Sequence, residues 1–268
     1  MIYFGNQLNK ISNNLNMLLN EDNIDFDILF NQISNICFDE NNFQITPFPS
    51  IITQLKNSKY FEILNSLEKI QFPILLGNID KKNIYNRIEK YYYKIELDLV
   101  LIFKEDEKFY YIYDSDVAPY LKLSKDLIQN NLLNTIIIKP INTQISFNKE
   151  KSIKNNIKNI YSDNLIGSNA YFELFNVLKN KELSSKQNLS LYYSIRELTI
   201  LIYKMSVLLK KDKIFYSLFS KELAILGMII NHLTYREQTK LSELFLNLYN
   251  NRKEIEKYAS EYCAKLSY

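Results

Sequence analysis

The feature that most constrains the fold is a change of hydrophobic period along the chain. From Tyr171 onward, apolar residues recur with the 3.6-residue period of an α-helix. The helical segments are 169–180, 187–211, 213–233 and 235–266, with Ser184 and Asp212 as caps or breaks. Residues 72–139 contain short apolar runs bounded by turn residues, a pattern typical of strands. The sequence therefore predicts an α+β fold, with a mixed domain at 1–145 and a helical bundle or cap domain at 146–268.

Strands and helices can be assigned within the first domain. Strands are predicted at Phe72–Gly77, Tyr91–Phe103, Phe109–Tyr113 and Asn134–Lys139, with a hairpin turn at 104–107. Helices are predicted at 7–19, 26–36 and 51–70, and Ser124 is expected to cap another at 125–131. The sheet should be rich in antiparallel pairs, and the polar residues 141–168 should form the crossing to the second domain.

Charge and cysteine usage narrow the classes of function. The net charge is +3, with lysines and carboxylates interleaved, so a nucleic-acid partner is not expected. Two cysteines far apart, without a CxxC or Cys/His cluster, indicate a reducing compartment and no structural zinc site. No secretory signal is evident, and the apolar run Leu223–Ile230 is too short to span a bilayer. We therefore expect a cytoplasmic protein with no membrane partner and no cofactor.

Four segments carry a resemblance to a known family. They are 67–80, which contains Phe-Pro-Ile-Leu-Leu-Gly and ends in Asp80; 98–103, which begins with Asp98; 110–116, which ends in Asp-Ser-Asp; and 123–127, which contains Ser124. Together they resemble the core of the butirosin biosynthesis protein H family. The second half is similar to that family's helical region, with Gly167-Ser-Asn-Ala170 opening a helix. The resemblance implies a papain/C39-like sheet domain followed by a helical extension.

The resemblance also implies a chemistry and a set of site positions. Members of the family transfer an acyl or aminoacyl group from the phosphopantetheine thioester of a carrier protein to an amine. Their catalytic Cys, His and acidic positions fall here on Gln7, Asp98 and Asp114. Gln7 has no nucleophilic sulfur, and Asp98 at an ordinary pKa near 4 is a weak base. The expected function is therefore that of a catalytically degenerate homologue in natural-product biosynthesis, which binds a carrier protein, a peptide or an acyl substrate.

Two other functions remain open. A carrier thioester is already activated, so an enzyme could position an amine against it and use the carboxylate of Asp98 as a base. Alternatively, the chain could be a non-enzymatic helical interaction protein, in which case the four predicted strands would be absent. The sequence also leaves a homo-oligomer open.

The remaining candidate residues each have a structural interpretation as well as a catalytic one. Cys37 could serve as a substitute nucleophile, but its apolar neighbours favour a buried, inert thiol. The single histidine, His232, lies near a predicted helix end, where an imidazole interacts favourably with the last carbonyls. Asp114 and Asp116 follow a strand and suit a turn, although a carboxylate pair with Asp98 could bind a proton or a cation. Asp80 is open to the same two interpretations.

Overall fold

The computed structural model describes residues 10–19, 24–67, 71–79, 99–114, 118–141, 145–235 and 240–266. In these ranges the helices are α1 Lys10–Leu19, α2 Phe26–Leu29, α3 Ile51–Lys56, α4 Lys125–Asn130, α5 Lys149–Lys158, α6 Ser168–Asn180, α7 Ser185–Leu208, α8 Lys213–Tyr235 and α9 Leu241–Leu266. The strands are β1 Asn35–Asp39, β2 Gln44–Phe48, β3 Phe61–Leu64, β4 Ile74–Ile79, β5 Val100–Glu105, β6 Phe109–Asp114, β7 Ala118–Ser124 and β8 Leu132–Pro140. The predicted α+β fold with an all-helical C-terminal region is confirmed.

The first compact unit, Met1–Phe26 with Ile52–Phe147, contains a six-stranded sheet. Its strand order is β3-β8-β4-β5-β6-β7, and every neighbouring pair is antiparallel. Leu101 and Ile102 on β5 are both fully buried. Since successive strand residues point to opposite faces, the centre of the sheet is covered on both sides. Helix α1 packs against β4 and β5.

Local signals explain the hairpin and the helix in this unit. The β5–β6 turn forms around Asp106, whose Oδ1 accepts hydrogen bonds from the backbone N–H groups of Lys108 (3.0 Å) and Phe109 (2.8 Å). These backbone bonds, led by that of Lys108, hold the pKa of Asp106 below its ordinary value. The side chain of Ser124 accepts from the N–H of Leu127 at 3.3 Å, so the predicted cap of α4 is confirmed.

The second unit, Asp27–Ile51 with Asn148–Tyr268, is mainly helical. Helix α9 packs against α6 and α8, α8 packs against α7, and the β1–β2 hairpin contacts α7 through β2. Two side chains of α7 hold the hairpin: Ser194 Oγ accepts from the N–H of Ile45 (3.1 Å), and Ser190 Oγ donates to the carbonyl of Asn42 (2.6 Å). The hairpin thus belongs to the helical unit by direct hydrogen bonds.

Two helices in this unit begin at the caps that the sequence predicted. Ser184 caps α7 in a capping box with Gln187, and Asp212 Oδ1 accepts from the N–H groups of Ile214 (3.0 Å) and Phe215 (3.1 Å) at the start of α8. The four predicted helical segments correspond to α6, α7, α8 and α9. Within the described ranges, α8 is the one helix long and apolar enough to cross a bilayer, and 33% of its most apolar window is buried inside the protein.

Several sequence predictions in the first 170 residues are wrong. The helix expected at 26–36 ends at Leu29, and β1 begins at Asn35. The helices expected at 51–70 shorten to α3, and β3 follows because it pairs with the distant strand β8. The polar stretch 141–168 contains α5 and is not only a crossing. For β3, pairing with a strand far along the chain overrides the local helical pattern, whereas β1 pairs with the adjacent strand β2 and α5 has its own cap at Asn148.

The strand predictions are correct where the runs are strongly apolar. Strands at Phe72–Gly77, Phe109–Tyr113 and Asn134–Lys139 correspond to β4, β6 and β8, and the end of Tyr91–Phe103 lies in β5. Residues 91–98 lie outside the described residues. Since β4, β5, β6 and β8 are present, the purely helical alternative is wrong. The border between the two compact units at Phe147 lies beside the predicted one at 145, but residues 27–51 group with the helical unit.

Candidate functional site

Of the three predicted site residues, the structure describes only Asp114. Gln7 and Asp98 lie outside the described residues, as do Asp80 and Asp116. Asp114 is the last residue of β6, is 1% exposed and pairs with Ala118 of β7. Asp114 therefore ends its strand as a buried carboxylate at the point where β6 passes to β7.

The elements around Asp114 converge at one end of the sheet. The antiparallel register sets Leu101 of β5 opposite Tyr113 of β6, so the start of β5 lies beside Asp114. Helix α1 contacts the same strand: Asn14 Nδ2 donates to the carbonyl of Leu99 at 3.1 Å. Leu99 is the residue that follows Asp98 in the chain. The fold thus joins α1, the start of β5 and the end of β6, which are the elements next to the three predicted positions.

Helix α1 is unusually polar for a buried element. Residues Ser12 to Leu19 are all buried, and they include Asn13, Asn14 and Asn16. Both amide atoms of Asn16, as well as Asn14 Oδ1, have no hydrogen-bond partner within the described ranges. A buried amide without partners costs about 1–3 kcal/mol. The sheet unit therefore buries polar groups of α1, where an apolar helix would be more stable.

Cys37 lies in the other compact unit, on β1 opposite Thr46. Its half-buried thiol makes a long contact of 3.6 Å with the carbonyl of Phe38, its own neighbour in the chain. Burial, helped by the carboxylate of Asp39, raises the pKa of the Cys37 thiol above its ordinary value. His232 lies in the last turn of α8, as predicted. Cys37 is therefore a protonated thiol at neutral pH and not an activated nucleophile.

The helical unit contains a buried polar network that the sequence reasoning missed. Glu222 accepts through Oε1 from Tyr171 Oη at 2.8 Å and through Oε2 from Arg252 at 3.3 Å. Arg252 also donates to the carbonyl of Ser34 at 2.6 Å. All three side chains are completely buried. The network could have been suspected from the sequence, because Glu222 and Arg252 occupy core positions within otherwise apolar helical stripes.

The protonation states within this network follow from burial and charge. Burial raises the pKa of Tyr171 well above its ordinary value, and the neighbouring carboxylate of Glu222 adds to the effect. For Arg252 burial alone would lower the pKa, but Glu222, together with Tyr171 and Glu256, outweighs it and raises the pKa. The network therefore holds a neutral phenol and an ion pair. With no exposed group among the three, its role is structural.

A second cluster links α6, α9 and β1 near Gly167. Glu256 on α9 accepts from the backbone N–H (2.6 Å) and the hydroxyl (2.8 Å) of Ser168, the first residue of α6. Gly167 has φ of 67°, and a Cβ there would clash with the carbonyl oxygen of Tyr161. Its N–H donates to the carbonyl of Ile36 on β1 at 2.8 Å. Glycine is required here, so this cluster also fixes structure.

Within the described residues, no group of His, Cys, Asp and Glu side chains is arranged to hold a metal ion. The sequence matches no protein-family model and no curated protein. The resemblance to the butirosin biosynthesis protein H family therefore stays a hypothesis, and the fold stands on its own evidence.

Proposed function

We propose that this chain is a catalytically degenerate homologue of the carrier-protein-dependent acyl and aminoacyl transferases of natural-product biosynthesis. In the proposed role it binds a carrier protein with its phosphopantetheine arm, a peptide or an acyl group in the cytoplasm, without forming a covalent intermediate. The observation that carries the proposal is the state of Cys37, whose pKa is raised by burial and by Asp39. A thioester-attacking cysteine needs the opposite shift.

The composition of the chain supports the same conclusion. It contains two cysteines and one histidine, so His232 is the only imidazole that could activate Cys37 or Cys263. Cys37 is on β1 and Cys263 is near the end of α9, whereas the resemblance implies a nucleophile at position 7, before α1. The bond from Asn14 to the carbonyl of Leu99 supports the implied neighbourhood of positions 7 and 98, since it ties α1 to the start of β5.

The direct test is incubation of the chain with a pantetheine acyl thioester, followed by intact-mass measurement. We expect no acyl adduct on Cys37 of the wild-type chain, because its raised pKa leaves little thiolate. Iodoacetamide should also alkylate Cys37 more slowly at pH 8 than it alkylates a free cysteine peptide, because the raised pKa leaves less thiolate. An acyl adduct on Cys37 would overturn the proposal.

A gain-of-function variant tests the proposed positions themselves. If the ancestral dyad occupied positions 7 and 98, the double variant Gln7→Cys with Asp98→His should acquire an acyl adduct at position 7. The single variant Gln7→Cys is the matched control, since it lacks the imidazole base and should react far more slowly. Equal reactivity of the two variants would show that position 98 does not serve position 7, and the proposal would then lose its structural basis.

A further inference from the structure

The helical unit contains a segment from the first half of the chain. This segment, 27–51, is here called the inserted segment; it carries α2 and the β1–β2 hairpin, and residues 52–147 of the sheet unit separate it from α5. A two-stranded hairpin alone is marginally stable at best in water. Ile36, Phe38 and Ile45 of this hairpin are nevertheless at most 2% exposed, and β1 and β2 pack against α6 and α7. The hairpin therefore depends on helices that lie far along the chain.

Strand β1 is bonded on both of its edges. One edge pairs with β2, and the other meets the loop before α6, where the N–H of Phe38 donates to the carbonyl of Leu165 at 3.0 Å. In the same loop, the N–H of Gly167 donates to the carbonyl of Ile36 at 2.8 Å. Buried backbone groups need hydrogen-bond partners. The outer edge of the hairpin is therefore completed by the helical unit.

Two charged side chains of the helices also bond to the inserted segment. Lys204 on α7 forms an ion pair with Asp27, Nζ to Oδ2 at 2.6 Å, and the side chain of Asp27 is 1% exposed. Arg252 on α9 donates to the carbonyl of Ser34 at 2.6 Å. Hydrogen bonds in which one group is charged are about twice as strong as neutral ones. Opening of the inserted segment would break both bonds, so it is linked energetically to α7 and α9.

A buried amide on α5 is satisfied by the same segment. Asn156 is completely buried; its Nδ2 donates to the carbonyl of Ile28 at 2.8 Å, and its Oδ1 accepts from Ser34 Oγ at 2.6 Å. Ser190 and Ser194 on α7 bond to the hairpin as described above. The inserted segment is thus bonded to α5, α7 and α9 as well as to the loop before α6.

We propose that the inserted segment and helices α5 to α9 open and close as one conformational unit, while the sheet unit stays closed. Proteins open locally in cooperative units, each with its own opening free energy. Because the inserted segment is bonded to four parts of the helical unit, it should share the opening free energy of those helices and not that of the sheet. The hairpin thus closes only when the helices do, although it precedes them in the chain. This device does not depend on the chemistry at Gln7 and Asp98.

The test is native-state hydrogen exchange on the full-length chain, resolved by residue with NMR. Two variants each truncate a buried isoleucine: Ile45→Ala in the hairpin and Ile112→Ala on β6. Because the truncation removes burial and packing, Ile45→Ala should speed exchange of the Ile202 amide on α7 by at least about thirtyfold and leave that of Leu101 on β5 within about threefold. Ile112→Ala is the matched control and should give the reverse.

Two further variants extend the test. Ile45→Val removes one methylene, should give the same pattern at about threefold to tenfold, and replaces Ile45→Ala if that variant does not fold. Leu226→Ala on α8 tests the coupling from the side of the helices. It truncates a fully buried side chain and should speed exchange of the Phe38 amide on β1 by at least about thirtyfold. Far-UV circular dichroism checks that each variant is folded.

Two outcomes would overturn the proposal. Faster exchange in Ile45→Ala that does not reach Ile202 would show that the hairpin opens alone. Equal acceleration at Ile202 and Leu101 in every variant would show that the whole chain opens as one unit. Acceleration at Ile202 without Leu101 in Ile45→Ala, together with acceleration at Phe38 in Leu226→Ala, is the result expected of a shared opening.

Discussion

Two buried clusters, one in each compact unit, are stabilised by different chemistry. The centre of the sheet unit is an apolar cluster contributed by β4, β5, β6, β8 and α4, with Ile102 and Ile137 completely buried. The core of the helical unit buries an arginine, a glutamate and a tyrosine that bond to one another. Apolar contacts depend on volume and are not directional, whereas hydrogen bonds to a charge need one particular partner. The apolar cluster should accept substitutions that keep its shape, whereas the charged network should not accept loss of one of its partners.

The largest expected effect tests the polar core. Arg252→Met keeps much of the side-chain volume but leaves the carboxylate of Glu222 buried without its cation, so we expect a loss of about 3–5 kcal/mol in the free energy of unfolding. Urea denaturation followed by circular dichroism measures it. The double variant Arg252→Met with Glu222→Leu should recover most of the loss, because the buried charge is then gone. A single variant as stable as the wild type would contradict the contrast between the two cores.

A second prediction concerns the phenol in the same network. Tyr171→Phe removes a hydrogen bond to a charged acceptor and should cost about 2 kcal/mol at pH 7. The pKa of Tyr171 is raised in the folded protein, so the folded state binds its proton more tightly than the unfolded chain does. The contribution of Tyr171 to stability is therefore complete below the unfolded pKa near 10 and falls as the pH rises above it.

The control for this prediction is the pH dependence. The difference in unfolding free energy between wild type and Tyr171→Phe should shrink between pH 9 and pH 11 if the raised pKa is real. Other tyrosines titrate in both proteins, so the comparison isolates Tyr171. A difference that stays constant over this range would show that the phenol is not held in its neutral form by the fold.

How well the sequence predicts an element depends on whether the signals for that element lie within its own segment. Helices α6 to α9 follow from the 3.6-residue period and from caps such as Ser184, because these signals lie within the segments themselves. Strands β4, β6 and β8 are apolar runs that read as strands in isolation. Strands β1 and β3 could not be recognised in this way. Both are short; β1 pairs with the adjacent strand β2, and β3 pairs with the distant strand β8.

The buried network shows a second limit of prediction. Glu222 and Arg252 are 30 residues apart, and the choice of each as the other's partner depends on how α8 and α9 pack. A charged residue in an apolar stripe signals that a partner exists but does not identify it. The candidate site shows the same limit: the end of β6 could be predicted, but the burial of Asp114 depends on its pairing with β7. Gln7 and Asp98 stay predictions from the resemblance alone.

A smaller effect tests the apolar core with a substitution that keeps its shape. Ile102→Val removes one methylene from a fully buried position on β5 and should lower the free energy of unfolding by about 1 kcal/mol. This loss is well below that expected for Arg252→Met, although both side chains are completely buried. Urea denaturation of the two variants side by side gives the ratio. Equal losses would mean that both cores depend on volume alone.

The smallest expected effect concerns a serine N-cap, which occurs in both units. Ser124 caps α4 in the sheet unit and Ser184 caps α7 in the helical unit, each accepting a backbone N–H at 3.3 Å. Because capping depends on the helix end and not on the core beneath it, Ser124→Ala and Ser184→Ala should each cost about 0.5–1 kcal/mol. Urea denaturation of both variants measures the two losses in the free energy of unfolding. If Ser184→Ala cost several times more than Ser124→Ala, the units would differ in their local helix ends as well as in their cores, and the contrast drawn from Arg252 and Ile102 would no longer isolate core chemistry.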